Sequence, residues 1–199
     1  KPFILWKLAF AKVFKDKGGF DIVIGNPPYV GSATQNADKN LLKQRKKIIE
    51  SKKYITLCSK WDLYVPFMEC GIQLLREKGV FSMIVPYPLT NQIYAKELRR
   101  FLVEKNTLIQ IVDLKDVKVF EATVQNCVPI VVKGGTTNLC AIAKMHNETI
   151  KTEFYQPIDK LIVDMKTLVW HLTEDNHMKA HQDMITLGDI CYITKGMVL

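Results

Sequence analysis

The stretch Phe20-Asp21-Ile22-Val23-Ile24-Gly25-Asn26-Pro27-Pro28-Tyr29 constrains this chain more than any other. Phe20 to Ile24 are apolar apart from Asp21 and rich in β-branched residues, the pattern of a strand covered on both faces in a parallel sheet. Gly25 frees the backbone, and two consecutive prolines fix φ and remove two N–H donors. Pro27 also biases Asn26 toward an extended conformation, so the strand ends there. Its carboxyl end presents the Asn26 side-chain carbonyl, neighbouring backbone carbonyls without competing donors, and the ring of Tyr29. In open α/β sheets, ligands bind just outside the carboxyl ends of strands.

An acceptor cluster beside a stacking surface suits attack by an exocyclic amino group of a base, or by an amide nitrogen. Such a nitrogen is a poor nucleophile because its lone pair is delocalised. Two acceptors, each taking one N–H, pull it toward tetrahedral geometry and stabilise the positive charge that develops on attack. This is oxyanion-hole logic with the sign reversed. The Asn26 side-chain oxygen and the Pro27 carbonyl are the candidate acceptors, and Tyr29 the candidate stacking ring. A plain strand-ending turn is the competing reading, since Asn-Pro and Pro-Pro are common loop punctuation.

The order of elements agrees with a sheet protein. Pro2 to Phe14 reads as a short amphipathic helix or an irregular apolar segment. Gly31 to Asn40 reads as a loop, Lys39 to Lys53 as a helix, and Lys60 to Lys78 as a helix ended by Gly79. Val80 to Val85 reads as a strand, Tyr94 to Val103 as a helix, and Leu108 to Leu114 and Val128 to Val132 as strands. That alternation points to a doubly wound α/β sheet. From residue 140 to 185 it gives way to short β-like pieces and connectors, so a division falls after residue 139.

With 199 residues, 48% hydrophobic and 24% charged, the chain has an ordinary globular composition. No apolar run approaches the ~20 residues that span a bilayer, so no membrane partner is expected. Cysteines 58, 70, 127, 140 and 191 show no CxxC spacing and read as reduced thiols of a cytoplasmic protein. His177 and His181 share i, i+4 spacing but lack an HExxH context, so no metal site is expected. Net charge is +8, which favours a polyanionic partner. Lys39, Lys43, Arg45, Lys46, Lys47, Lys52 and Lys53 crowd into fifteen residues opposed only by Glu50. They are candidate phosphate contacts beside the Tyr29 turn, with a solvated helix face as the equal alternative.

Asn26-Pro27-Pro28-Tyr29 after an apolar strand resembles motif IV of the S-adenosylmethionine-dependent amino-methyltransferases. More narrowly, the chain resembles the DNA adenine-N6 methyltransferase part of type IIG restriction–modification enzymes, in which methylase and nuclease share one polypeptide. The segments that carry this are Trp6 to Phe14 with Gly18-Gly19-Phe20-Asp21, Asp62 to Phe67, Gly79 to Pro86, Leu98 to Leu102, Val119-Phe120 and Leu187 to Ile190. The resemblance implies the later part of a Rossmann-like methyltransferase sheet, its last strand inserted antiparallel, followed from about Thr186 by the start of a target-recognition domain. It implies S-adenosylmethionine as cofactor and double-stranded DNA as partner. Asn26, Pro27, Pro28 and Tyr29 would be catalytic, and Tyr29 and Phe120 would hold the target base, although Phe120 also reads as hydrophobic core at a strand entrance. Asn26 and Phe67 would lie against the cofactor, although Phe67 reads equally as a core residue of its helix. Thr123, Gln125 and Asn126 form a polar turn within reach of DNA. The family's glycine-rich cofactor turn has no counterpart before residue 20, so the chain is expected to carry the catalytic half without the main cofactor cradle. Protein-glutamine methyltransferases, RNA base methyltransferases and a non-catalytic DNA-binding module remain as alternatives.

Overall fold

A computed structural model describes residues 4–31, 39–121, 124–162 and 164–173. Two short helices, α1 (Trp6–Ala9) and α2 (Ala11–Lys17), lead into β1 (Phe20–Gly25). Trp6, Phe10 and Phe14 each set a ring edge-on to Phe20, at 6.3, 5.2 and 5.3 Å between centroids. The amphipathic segment read from Pro2 to Phe14 is thus a broken helix that packs on the first residue of β1. Gly18, at φ 79°, ends α2 in the left-handed region. A Cβ on Gly19 would lie 2.5 Å from the backbone of Leu75 and Arg76, so only glycine fits there.

Beyond β1 come α3 (Lys39–Glu50), α4 (Tyr64–Gln73), β2 (Leu75–Met83) and β3 (Val85–Pro86). Two 3-10 turns lead to α5 (Lys96–Glu104), β4 (Asn106–Leu114) and β5 (Asn126–Lys133). The described chain continues through β6 (Leu139–His146), β7 (Thr149–Pro157) and α6 (Ile158–Leu161). One mixed sheet runs β1-β2-β5-β4-β6-β7, with β3 paired to β5. β1 and β2 are parallel, β5 is antiparallel to both β2 and β4, and β4 and β6 are parallel. The antiparallel insertion implied by the family resemblance is therefore present, one strand in from where sequence order alone would put it.

The helix read from Lys60 to Lys78 is correct only in its middle. It starts at Tyr64, which places Pro66 in the first turn, where its missing N–H costs no intrahelical bond. It stops at Gln73 because Leu75 already pairs with Phe20. The register then jumps from Phe20–Leu75 to Ile22–Val80, looping residues 76–79 out of the ladder. Gly79 belongs to this bulge: a Cβ there would lie 2.9 Å from the Phe20 carbonyl oxygen.

Residues 139–157 are also more regular than the sequence reading. They form a hairpin, with Asn147 and Glu148 at φ 47° and 66° as the two turn residues. Positive φ at both positions is what a two-residue turn needs to match strand twist. The division drawn after residue 139 falls at the start of β6, which pairs with β4 in the same sheet. Thr186 to Gly196, read as the opening of a recognition domain, lies outside the described residues.

The main core lies on one face of the sheet. Phe81, Val131, Leu108, Ile111, Ile142 and Phe154 meet Leu98 and Leu102 of α5, Val65, Met68 and Ile72 of α4 and Leu161 of α6, with Leu41 and Ile48 of α3 at its margin. A Cβ on Gly71 would sit 2.6 Å from the Phe81 ring, so that glycine lets α4 settle onto β2. On the other face Val112, Leu114 and Ala143 form a small cluster without helical members. The expectation that β1 is covered on both faces fails here: Ile22 and Ile24 are 53% and 69% exposed. β1 is the edge strand of the described sheet, and the aromatic side chains of α1 and α2 pack on its first residue, Phe20. Among the described residues no helix is long and apolar enough to cross a membrane.

Candidate active site

The Asn26-Pro27-Pro28-Tyr29 turn follows β1 directly. The Gly25 carbonyl accepts a hydrogen bond from Ile84 N–H at 3.1 Å, which ties the strand end to the segment after β2. Pro27 is buried while Asn26 and Pro28 are exposed, so the prolines fix the backbone and leave the Asn26 amide outward. Tyr29 is half-buried. Its hydroxyl donates to the Ile84 carbonyl at 2.9 Å and accepts from Asn126 Nδ2 at 3.2 Å. The Phe120 ring stands at 78° to it with centroids 6.1 Å apart. Burial raises the Tyr29 phenol far above its usual range, with Cys127 adding to the shift, so the hydroxyl is a neutral donor. The sequence-nominated pair Tyr29 and Phe120 is thus brought together as a right-angled aromatic corner, an arrangement favoured by the ring quadrupoles.

The residue after the motif is clamped. The Val30 carbonyl accepts from Leu63 N–H at 3.1 Å and from Arg45 Nη2 at 2.9 Å. Arg45 Nη1 reaches the Trp61 carbonyl at 2.7 Å, and its guanidinium lies 4.6 Å from the Trp61 ring centroid. This corrects the reading of Arg45 as a phosphate contact: it is 8% exposed and committed to two carbonyls and a ring. The reason is helical phase. Leu41, Arg45 and Ile48 share the inward stripe of α3, whereas Lys39, Lys43, Lys46 and Lys47 are exposed. Burial lowers the Arg45 pKa, and the charge of Asp62 opposes that. Asp62 accepts from the Tyr94 hydroxyl at 2.9 Å, and Tyr94 in turn lies 3.4 Å from the Tyr64 hydroxyl. A partly buried polar chain therefore underlies the entrance to α4.

Phe67 is on α4 and 45% exposed, which removes the alternative that it is a core residue. No glycine-rich turn accompanies it among the described residues. Gln125 is exposed, but Asn126 is fully buried and contacts Tyr29, so its reading as a DNA-touching residue is also corrected. Sequence reasoning missed that contact because 97 positions separate the two residues. Thr123, His177, His181 and Cys191 lie outside the described residues. Cys58, Cys70, Cys127 and Cys140 are free thiols, and burial pushes those of Cys127 and Cys140 well up.

The sequence model of the Eco57I restriction-modification methylase family matches residues 1–120. Type II methyltransferase M.BstVI of Geobacillus stearothermophilus is 32% identical over 155 residues, 77% of this chain and 26% of that protein. Type II restriction enzyme and methyltransferase RM.Eco57I of Escherichia coli is 33% identical over 102 residues, 51% of this chain and 10% of that protein. The chain thus spans about a quarter of the first relative and a tenth of the second. Among solved structures, a chain of a type I restriction–modification system superposes with a TM-score of 0.53 at 14% identity, covering 86% of this chain and 41% of that one. DrdV, solved as a complex with DNA, gives 0.51 at 17% identity over 78% of this chain and 18% of its own. These two likenesses establish a shared fold. The family match, over more than half of the sequence, establishes kinship: the chain belongs to the Eco57I restriction-modification methylase family.

Proposed function

We propose that this chain carries the catalytic turn of an adenine-N6 methyltransferase that acts on double-stranded DNA within a restriction–modification enzyme, fused in the longer protein to a nuclease. The observation that carries the reading is the corner formed by Tyr29 and Phe120 beside the outward Asn26 amide, within an intact Asn-Pro-Pro-Tyr turn. A base flipped from the duplex stacks on Tyr29 and abuts Phe120, at the cost of its own unstacking. The Asn26 side-chain oxygen and the Pro27 carbonyl accept the two N–H bonds of its exocyclic amine. Both dipoles are fixed before the reaction, so they stabilise the charge that develops on nitrogen without reorganising. S-adenosylmethionine, lying against Asn26 and Phe67, supplies the methyl group. Lys39, Lys43, Lys46 and Lys47, exposed on α3, hold phosphates near the same end of β1. An enzyme with this substrate would work in the cytoplasm of a bacterial cell.

The test is transfer of labelled methyl from S-adenosylmethionine to unmethylated bacterial DNA by the longest reading frame that contains this chain. The expected product is N6-methyladenine, and Asn26→Ala should lower its formation by about 100-fold or more, the scale of losing one preorganised dipole. Label appearing instead in RNA or in a protein glutamine would overturn the DNA reading while keeping the chemistry of the turn. No label in any acceptor, from a folded full-length protein, would overturn both.

A further inference from the structure

Asn126 is fully buried, yet its amide is poorly used for stability. It opens β5 and pairs with Leu114 on β4 and Pro86 on β3, so it sits where three strands converge. Its Nδ2 donates to the Tyr29 hydroxyl at 3.2 Å and to the Val85 carbonyl at 3.4 Å, the second near the limit of a hydrogen bond. Its Oδ1 is buried without a partner. A buried orphan acceptor costs stability, and a leucine of nearly the same shape would pack there without that cost. What the amide supplies, and leucine cannot, is a donor aimed at Tyr29.

That donor has a geometric effect. With only the Ile84 carbonyl as partner, the Tyr29 hydroxyl is tethered at one point, and the ring can swivel about its long axis. A second partner, fixed in the sheet, determines where the hydroxyl lone pairs point. Together with Phe120 at 78°, it leaves one ring orientation. The strand that anchors the amide is paired on both sides, so this reference point does not drift with the loop. We infer that Asn126 is a positioning residue that fixes the plane of the Tyr29 ring and thereby the seat of the target base. The inference rests on the proposed reading of Tyr29 as the stacking ring.

The experiment compares wild type, Asn126→Leu, Tyr29→Phe and the double variant of the full-length protein. Each is measured for methyl transfer (kcat and KM for DNA) and for thermal melting. Asn126→Leu should melt no lower than wild type and lose about tenfold in kcat, one hydrogen bond at the upper end of its range, with KM within about threefold. Tyr29→Phe should lose a similar factor. The double variant should lose no more than Tyr29→Phe alone, because both changes break the same link. Losses that multiply in the double variant would overturn the inference, as would an unchanged kcat in Asn126→Leu. A melting temperature that falls in step with activity would make Asn126 merely structural and overturn it as well. Transfer by wild type to RNA or glutamine in place of DNA would sink the DNA reading alone, and the same four-way comparison on that acceptor then decides the inference. A folded wild type without any transfer overturns both.

Discussion

Two arginines, Arg45 and Arg99, do the same physical work in different regions, and the contrast separates what holds the fold from what holds the site. Among the described residues neither has a carboxylate in hydrogen-bonding range; each spends its guanidinium on backbone carbonyls. Arg99, fully buried on α5, donates to Leu168, Leu89, Gln92 and Thr167 at 2.6 to 2.8 Å and seals the segment 164–172 onto the core. Burial pushes its pKa down to about 10, so it stays charged at neutral pH. Arg45 makes two such bonds, stacks on Trp61 and fixes the carbonyl that follows Tyr29. The planar fork of arginine suits both places, since it reaches several carbonyls at once. What differs is the neighbour: four backbone carbonyls from two separate segments in one case, the motif turn in the other.

Arg99→Ala should produce the largest effect. It removes a donor from four carbonyls, those of Leu89 and Leu168 in buried surroundings, and a loss of about 3–5 kcal/mol is expected. For a chain of this size that lowers the melting temperature by about 10 °C or more. Arg99→Lys should recover little, because three donors on one nitrogen cannot reach four divergent carbonyls. A drop below about 3 °C for Arg99→Ala, measured by calorimetry, would mean that water replaces the guanidinium, and the contrast between the two arginines would collapse.

Arg45→Ala should cost less stability, about 1–2 kcal/mol for two hydrogen bonds and an aromatic stack near the surface. It should nevertheless lower methyl transfer about tenfold at temperatures where the protein is fully folded, since the Val30 carbonyl loses one of its two anchors. Measuring kcat well below the melting point separates the two effects. If activity tracks only the folded fraction, then Arg45 is a second Arg99 and no special support of the turn.

The difference between the arginines also marks how far sequence reaches. β1, its Gly18-Gly19 lead-in and its proline-locked end follow from neighbouring residues alone, and so do β4, β5 and most of α5. The inward phase of Arg45 was legible from Leu41 and Ile48 at i−4 and i+3, but seven basic residues in fifteen hid it. The end of α4 was not legible: Leu74 and Leu75 fit a helix face and a strand start equally. The choice is made by Phe20, whose N–H takes the Leu74 carbonyl from far along the chain. The hairpin β6–β7 had its turn signal in Asn147, but the Glu beside it is an uncommon partner at positive φ. Asn126 offered no local signal, because its role exists only once β5 has been inserted beside β4.

The smallest expected effect comes from an ion pair as short as any bond of Arg99. Asp21 on β1 meets Lys17 Nζ at 2.7 Å and Arg76 Nε at 2.6 Å, and these contacts, Lys17 first, hold its pKa at about 2. Length does not set its worth; exposure does. All three side chains are 39–56% exposed, so water and salt screen the attraction that burial would preserve. A carboxylate whose pKa is lower in the folded state than in the unfolded chain stabilises the fold above the unfolded value, near 4. That contribution disappears as pH falls through about 2. Asp21→Asn should therefore melt slightly below wild type at pH 7 and low salt, and the gap should close both at pH 2 and in 1 M salt. A gap that persisted under both conditions would show that Asp21 acts through packing at the β1 edge. Exposure would then no longer explain why the buried arginines matter more.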